Sequence, residues 1–161
     1  MTHEITKEIP VERYLKPLVI KAAVPGSLQA MADLRRLGVA MSKGPTLDLK
    51  KMTSHHFAEG LYARQWNQMA GSLVVSKTHA QENFLVLLDG ECLIATGDDT
   101  ERFCAPYIVK TMPGTRRAVY AVTDITIITF HPNPDNEQDI ETLEARYTIP
   151  EPPLDSEEKP T

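Results

Sequence analysis

The sequence predicts a mainly β protein, a single barrel or sandwich of short strands, on three observations. Apolar runs at 84–88, 92–95, 107–109 and 125–130 are each bounded by Gly, Pro, Asp or Asn, the pattern of short strands joined by tight turns. Asp89-Gly90, set between two of those runs, is the strongest short-range hairpin signal a sequence carries. Outside the central stretch, prolines and two short helical periodicities replace the strand pattern, so the extra segments read as additions to one barrel.

The chain has 161 residues and a net charge of −5, enough length for one domain with its own core. Its charge leaves no basic footprint for nucleic acid or an anionic membrane. No apolar run reaches the length of a membrane helix, and the start, residues 1–10, has no apolar signal region, so the mature chain is expected to begin near Met1 and stay in water. Cys92 and Cys104 are the only cysteines. Cys92 sits in an apolar run and is expected as a buried free thiol, which favours a reducing compartment.

The expected division is an extended Pro-rich arm over 1–25, an amphipathic helix and linker over 26–45, the barrel over 46–134, a C-terminal helix over 135–149 and a Pro/Glu-rich tail over 150–161. In the arm, Pro10, Pro17 and Pro25 preclude a useful helix, while Leu15, Leu18, Val19 and Ile20 form apolar islands. These are expected to lie along a partner or across the chain's own barrel, with a plain leader as the alternative. Ser27 is placed to cap a helix in which Leu28, Met31, Leu34 and Leu37 recur at three-residue spacing, with Gly38 as its left-handed terminator. Leu28, Met31 and Leu34 extend the expected partner-binding surface, and Asp33, Arg35 and Arg36 are expected to face water.

Leu47, Leu49 and Met52 suggest an edge strand. His55 and His56 follow, but neighbouring strand residues point to opposite faces and rarely share one ion. Gly60 opens a strand through Trp66, where Tyr62, Trp66 and Phe84 are expected to fill core or an interface. After 135, Asp135 or Asn136 is expected to cap an acidic helix with Ile140, Leu143 and Tyr147 on its buried face.

Gly71, Lys77, His79, Asn83 and Gly90, followed by Pro113-Gly114 and Arg117, carry a family pattern. The chain resembles the cupins, double-stranded β-helix or jelly-roll proteins with a first motif of Gly, His-x-His, Glu and Gly and a second built on Pro-x-Gly-x-x-His. The resemblance implies a cupin-like jelly-roll barrel and a divalent metal held by imidazoles and a carboxylate. Of those ligands only His79 stands in place: Lys77, Asn83 and Arg117 occupy the other positions, and Glu82 lies one residue from the carboxylate's. No metal and no cofactor are therefore expected; His79 is the residue that would hold one.

A narrower likeness covers residues 57–147. Gly60-Leu61-Tyr62-Ala63-Arg64, Ala105-Pro106-Tyr107, Pro113-Gly114-Thr115-Arg116-Arg117-Ala118-Val119-Tyr120-Ala121, Thr129-Phe130-His131-Pro132-Asn133, Asp139-Ile140-Glu141 and Leu143-Glu144 are similar to small cupin-like proteins of tailed bacteriophages. That resemblance implies a phage origin and leaves activity open.

Lys77, His79, Glu82, Asn83 and Arg117 form the candidate pocket. His79 with Lys77 and Glu82 suits proton transfer, against a relict metal site now simply hydrogen-bonded. Arg116 and Arg117 offer planar forks for a carboxylate or phosphate, although strand alternation should turn one of them outward. His131 is expected to pack at the barrel rim. No activated Ser or Cys nucleophile is discernible, and no catalytic residue is assigned. The expected role is a non-enzymatic structural or assembly protein of a phage virion, assembled in the host cytoplasm. It would dock on virion proteins or on itself as a homo-oligomer, with no nucleic acid and no membrane. A small-molecule-binding or metal-dependent cupin enzyme is the first alternative, and a phage protein binding a host factor the second.

Overall fold

Period-two alternation of apolar and polar residues builds most of this chain into strands. A computed structural model describes residues 21–96 and 98–150. Leu15, Leu18, Val19 and Ile20 of the arm, and the tail beyond 150, lie outside the described residues. In chain order the elements are β1 (Lys21–Ala23), α1 (Leu28–Ser42), β2 (Thr53–Ala58), β3 (Gly60–Gln68), β4 (Leu73–Val75), β5 (Thr78–His79), β6 (Asn83–Asp89), β7 (Glu91–Thr96), β8 (Asp99–Cys104), β9 (Tyr107–Thr111), β10 (Arg117–Ala121), β11 (Ile125–Asn133), α2 (Ile140–Tyr147) and β12 (Thr148–Ile149).

A six-stranded sheet in the order β1-β9-β6-β11-β3-β2 faces a four-stranded sheet in the order β4-β10-β7-β8, and β12 with β5 forms a small third sheet. From β3 to β11 the larger strands alternate between the two main sheets, broken only by the β7–β8 hairpin. That winding is the double-stranded β-helix of a cupin-type jelly roll.

The alternation overturns the hairpin expected at Asp89-Gly90. β6 pairs with β9 and β11, whereas β7 pairs with β8 and β10. The Asp-Gly pair is instead a corner that carries the chain from one sheet to the other. Gly90 has φ +81°, and a Cβ there would sit 2.1 Å from the Asp124 carbonyl oxygen. The corner at Thr123-Asp124 packs on it, with Thr123 Oγ1 accepting from the Glu91 N–H at 2.9 Å. A positive φ suits both a hairpin and this corner, so the dipeptide alone does not distinguish them.

Inward residues of both sheets form the core: Leu85 and Leu87 of β6, Cys92 and Ile94 of β7, Val109 of β9, Val119 and Ala121 of β10, and Ile125 and Ile127 of β11. Cys92 is the buried free thiol the sequence suggested, and burial pushes its pKa up to about 11. Trp66 packs against this core, but Phe84 is 43% exposed on the outer face of the six-stranded sheet, not inside.

Ser27 caps α1 as expected, accepting from the Ala30 N–H, and its own hydroxyl donates to Asp98 at 2.7 Å, tying the helix start to the turn before β8. The helix runs through Gly38 to Ser42. A Cβ on Gly38 would lie 3.2 Å from Arg116 Nη2 and 3.6 Å from Val75 Cγ1, so the glycine permits close approach to β4 and the strand-leading Arg116. Leu34 and Ala30 are buried beneath α1, while Leu28 is 92% exposed and stands outside the apolar stripe. Asp33 and Arg36 are exposed, and Arg35 is half-buried.

The edge strand lies later than Leu47–Met52 suggested: residues 45–48 are irregular, and β2 pairs with β3 from Thr53. α2 starts at Ile140 with Asp139 as its cap, accepting from Thr142 N–H at 2.8 Å. Asn136 adopts φ 53° in the turn before it, and Asp135 pairs with Arg146 instead of capping. Leu143 and Tyr147 are buried against Tyr62, with Ile140 beside them.

Candidate functional site

The barrel interior divides into an apolar end and a polar end. Along β11 the inward residues run Ile125, Ile127, Thr129, His131, Asn133; along β3 they run from Gln68 and Trp66 to Arg64 and Tyr62. Strand periodicity then brings Asn83 of β6, Thr111 of β9 and Arg117 of β10 to the same polar end. Asn83 and Thr111 are cross-strand neighbours, and Arg117 Nη2 donates to Thr111 Oγ1. The Asn83 side-chain amide lies 3.3 Å from His79 Nδ1, a contact that ties the imidazole to β6.

Backbone bonds hold His79 firmly. Its N–H donates to the Thr115 carbonyl at 3.0 Å, its carbonyl accepts from Gly114 at 2.8 Å, and the next residue, Ala80, donates to the Tyr147 carbonyl at 2.9 Å. β5 is thus clasped between the Pro113-Gly114 turn and the C-terminal strand β12. Burial, reinforced by the Arg117, His131 and Arg64 charges, lowers the His79 pKa to about 3. The imidazole is neutral in ordinary buffers and does not serve as a proton donor there.

His131 lies inside this end of the barrel, not at its rim. Its ring stacks with Tyr62 and is tilted 4.5 Å from Tyr147, and its Nε2 contacts Thr129 Oγ1 at 3.1 Å. Burial, then the Arg64 charge, lowers its pKa to about 4. Tyr147 donates to the Pro132 carbonyl and Tyr62 meets His55 Nδ1 at 2.7 Å, so Tyr62 is stacked among His55, His131 and Tyr147. Of the adjacent histidines, His55 faces Tyr62 while His56 is exposed beside Gln65, on opposite faces as strand geometry requires.

Arg117 is the odd group in this interior. It is 2% exposed, and both it and Arg116 are buried, contrary to the expectation that one would turn to water. Arg116 lies under α1, on the outer side of the four-stranded sheet, whereas Arg117 shares the inward side with Val119 and Ala121. Among the described residues no carboxylate forms an ion pair with Arg117, and its buried Nε has no hydrogen-bond partner. Burial lowers its pKa to about 10. A charge kept inside without a counter-charge costs several kcal/mol.

Arg117 also forms the floor of an open cavity of about 190 Å³ between β1, β7, β8 and β9. Ala23, Val24, Ile94, Phe103 and Val109 line its walls, and Thr96, Asp99, Glu101 and Lys21 stand around it.

No protein-family model matches the chain, and no curated protein does. Solved structures do. A cupin-2 domain protein from Shewanella frigidimarina is similar over 60% of this chain and 92% of its own, at 11% identity and a TM-score of 0.44. A cupin-2 domain-containing protein from Halorhodospira halophila is similar over 63% and 77%, at 12% identity and 0.46. A protein with a double-stranded β-helix domain from Klebsiella pneumoniae is similar over 58% and 94%, at 11% identity and 0.46. At such identities the likeness is one of fold.

The metal that a cupin-type fold implies does not fit the residues present. At the cupin ligand positions stand one imidazole, His79, the neutral amide of Asn83 and the Arg117 guanidinium, whose charge opposes a divalent cation. Among the described residues, no group of three His, Cys, Asp or Glu side chains converges as a metal site.

Lys77 and Glu82 do not join the pocket. Lys77 is exposed and pairs with Glu144 of α2 at 3.2 Å, and Glu82 is exposed and pairs with Lys110 at 3.0 Å. Glu82 immediately precedes the inward Asn83, so strand alternation sends it outward, and Lys77 lies just before β5, where it reaches α2 instead of the barrel interior. Sequence reasoning found His79, Asn83 and Arg117 and missed Thr111, Arg64 and the β1 wall of the cavity. Thr111 carried a signal, since it continues the inward alternation of Val109. The β1 wall carried none, because a parallel pairing of Lys21–Ala23 with Val109–Thr111 joins segments far apart in the chain.

Proposed function

We propose that the chain is a non-enzymatic docking module of a tailed-bacteriophage particle, built on a barrel without a metal site and joining copies of itself through the six-stranded sheet. The observation that carries this reading is the outer face of that sheet. Phe84 and Leu88 of β6 are 43% and 49% exposed, and Val86, Ile108, Ile128 and Phe130 lie half-buried beside them on paired strands. Among the described residues both helices pack elsewhere, α1 on β4 and α2 beside β12. A contiguous apolar patch of this kind marks an interaction surface.

A second copy is the occupant that suits it. Lys110 and Glu82 pair with each other beside Phe84, so that end of the patch carries no unbalanced charge and the same face of a second copy meets it without like-charge repulsion. The likeness of residues 57–147 to phage cupin-like proteins supports the particle setting. Residues 1–20, with Leu15, Leu18, Val19 and Ile20, then supply an arm toward other virion proteins, and assembly takes place in the host cytoplasm.

Sedimentation of the full chain across a dilution series tests the interface. The wild type is expected to be a dimer or larger, and the double variant Phe84→Asp, Phe130→Glu a monomer with an unchanged circular dichroism spectrum. A monomeric wild type, or a variant that still associates, sinks the self-docking reading. Mass spectrometry of intact particles is expected to find the chain, and its absence would overturn the virion role.

A further inference from the structure

We infer that the cavity floored by Arg117 is a binding site for a small organic carboxylate with an apolar body. The charge of the ligand is met by a guanidinium that is 2% exposed and directs a single bond, to Thr111, while its Nε has no partner. A planar fork with unused N–H groups matches the two oxygens of a carboxylate. The walls say what the rest of the ligand is. Ile94, Phe103 and Val109 leave about 190 Å³ of mainly apolar space above the guanidinium, room for a short aliphatic or aromatic body.

The surrounding charges narrow the class further. Lys21 is already paired with Glu101, and Asp99 stands beside them. Lys21 offsets Glu101, which leaves the Asp99 carboxylate as the net charge of the three; it repels a second anionic group on the ligand, so a monocarboxylate is preferred over a dicarboxylate or a phosphate. This site lies inside the barrel and is independent of contacts made by the outer sheet face.

Titration of the full-length protein with butyrate, benzoate, benzamide, succinate and inorganic phosphate tests the inference, read by calorimetry and by the Arg117 Nε–H resonance in ¹⁵N spectra. Benzoate and butyrate are expected to bind saturably and to shift that resonance, whereas the isosteric neutral benzamide leaves it in place. Arg117→Met is expected to weaken carboxylate binding by about tenfold or more. Ile94→Trp, which fills the cavity and keeps the guanidinium, is expected to abolish binding even if the arginine variant fails to fold. Absence of saturable binding, equal binding by benzamide, a preference for phosphate or succinate, or undiminished binding in Ile94→Trp would each overturn the assignment.

Discussion

Arg117 is stabilised by one hydroxyl, yet it occupies a place where Val119 and Ala121, its inward neighbours on β10, are fully apolar in character. A chain selected for stability alone has no use for a charge there. Arg117→Met keeps the length of the side chain and removes the desolvated charge, so the unliganded variant is expected to be more stable by about 1–3 kcal/mol. Urea denaturation of both proteins checks this, and a less stable variant would mean that the guanidinium serves the fold. His79 and His131 make a second prediction at this scale. Their folded pKa values, about 3 and about 4, lie below the ordinary 6.5. Between pH 6.5 and those values the unfolded chain binds more protons than the folded one, so stability falls as pH drops through that window and is level above it. The slope is at most about 1.4 kcal/mol per pH unit for each histidine. Arg64 and Arg117 face these rings and add to the effect; no carboxylate is among its causes. Thermal melts from pH 7.5 to 4.5 are expected to show the decline, and His131→Phe to flatten it.

Individual strands were legible because their signals are local. The alternation in β6, β7, β9 and β11 is visible in the sequence, and the turn residues bracket each one. What β6 and β7 pair with was not, since Asp89-Gly90 reads the same whether the chain doubles back or crosses to the other sheet. The crossing makes Gly90 exacting. Gly90→Ala places a methyl group 2.1 Å from a backbone oxygen at φ +81°, and the loss of stability is expected to be about 3 kcal/mol or more, measured by denaturant unfolding. Had Asp89-Gly90 been an ordinary exposed hairpin turn, the cost would be smaller. Gly38 departs from the expected terminator for a related reason: a glycine near the end of a helical pattern serves as terminator or as a site of close contact, and only the position of Val75 and Arg116 decides. The candidate site was half legible. His79, Asn83 and Arg117 could be placed by motif spacing, whereas Glu82 was lost to a one-residue question of which face a side chain takes and Lys77 to the start of β5 just after it.

Across the whole molecule, polarity is distributed by end and by face. The apolar end holds Ile125, Ile127, Leu87 and Cys92; the polar end holds His79, Asn83, Thr111, Arg117 and His131. Outside, α1 packs on β4 at the edge of the four-stranded sheet, while the six-stranded sheet exposes Phe84 and Leu88. The proposed interior binding and exterior docking would therefore use different parts of one barrel, and variants at Phe84 and Arg117 are expected to separate the two readouts. β1 connects them. Its three residues wall the cavity through Lys21, Ala22 and Ala23, pair with β9 at the edge of the six-stranded sheet, and continue directly into residues 1–20. The backbone pairing of β1 with β9 is therefore what holds that wall of the cavity in place. A ligand in the cavity and a partner of the preceding segment would share this strand of three residues, and by thermodynamic reciprocity each would then change the affinity of the other by the same factor, whatever its sign.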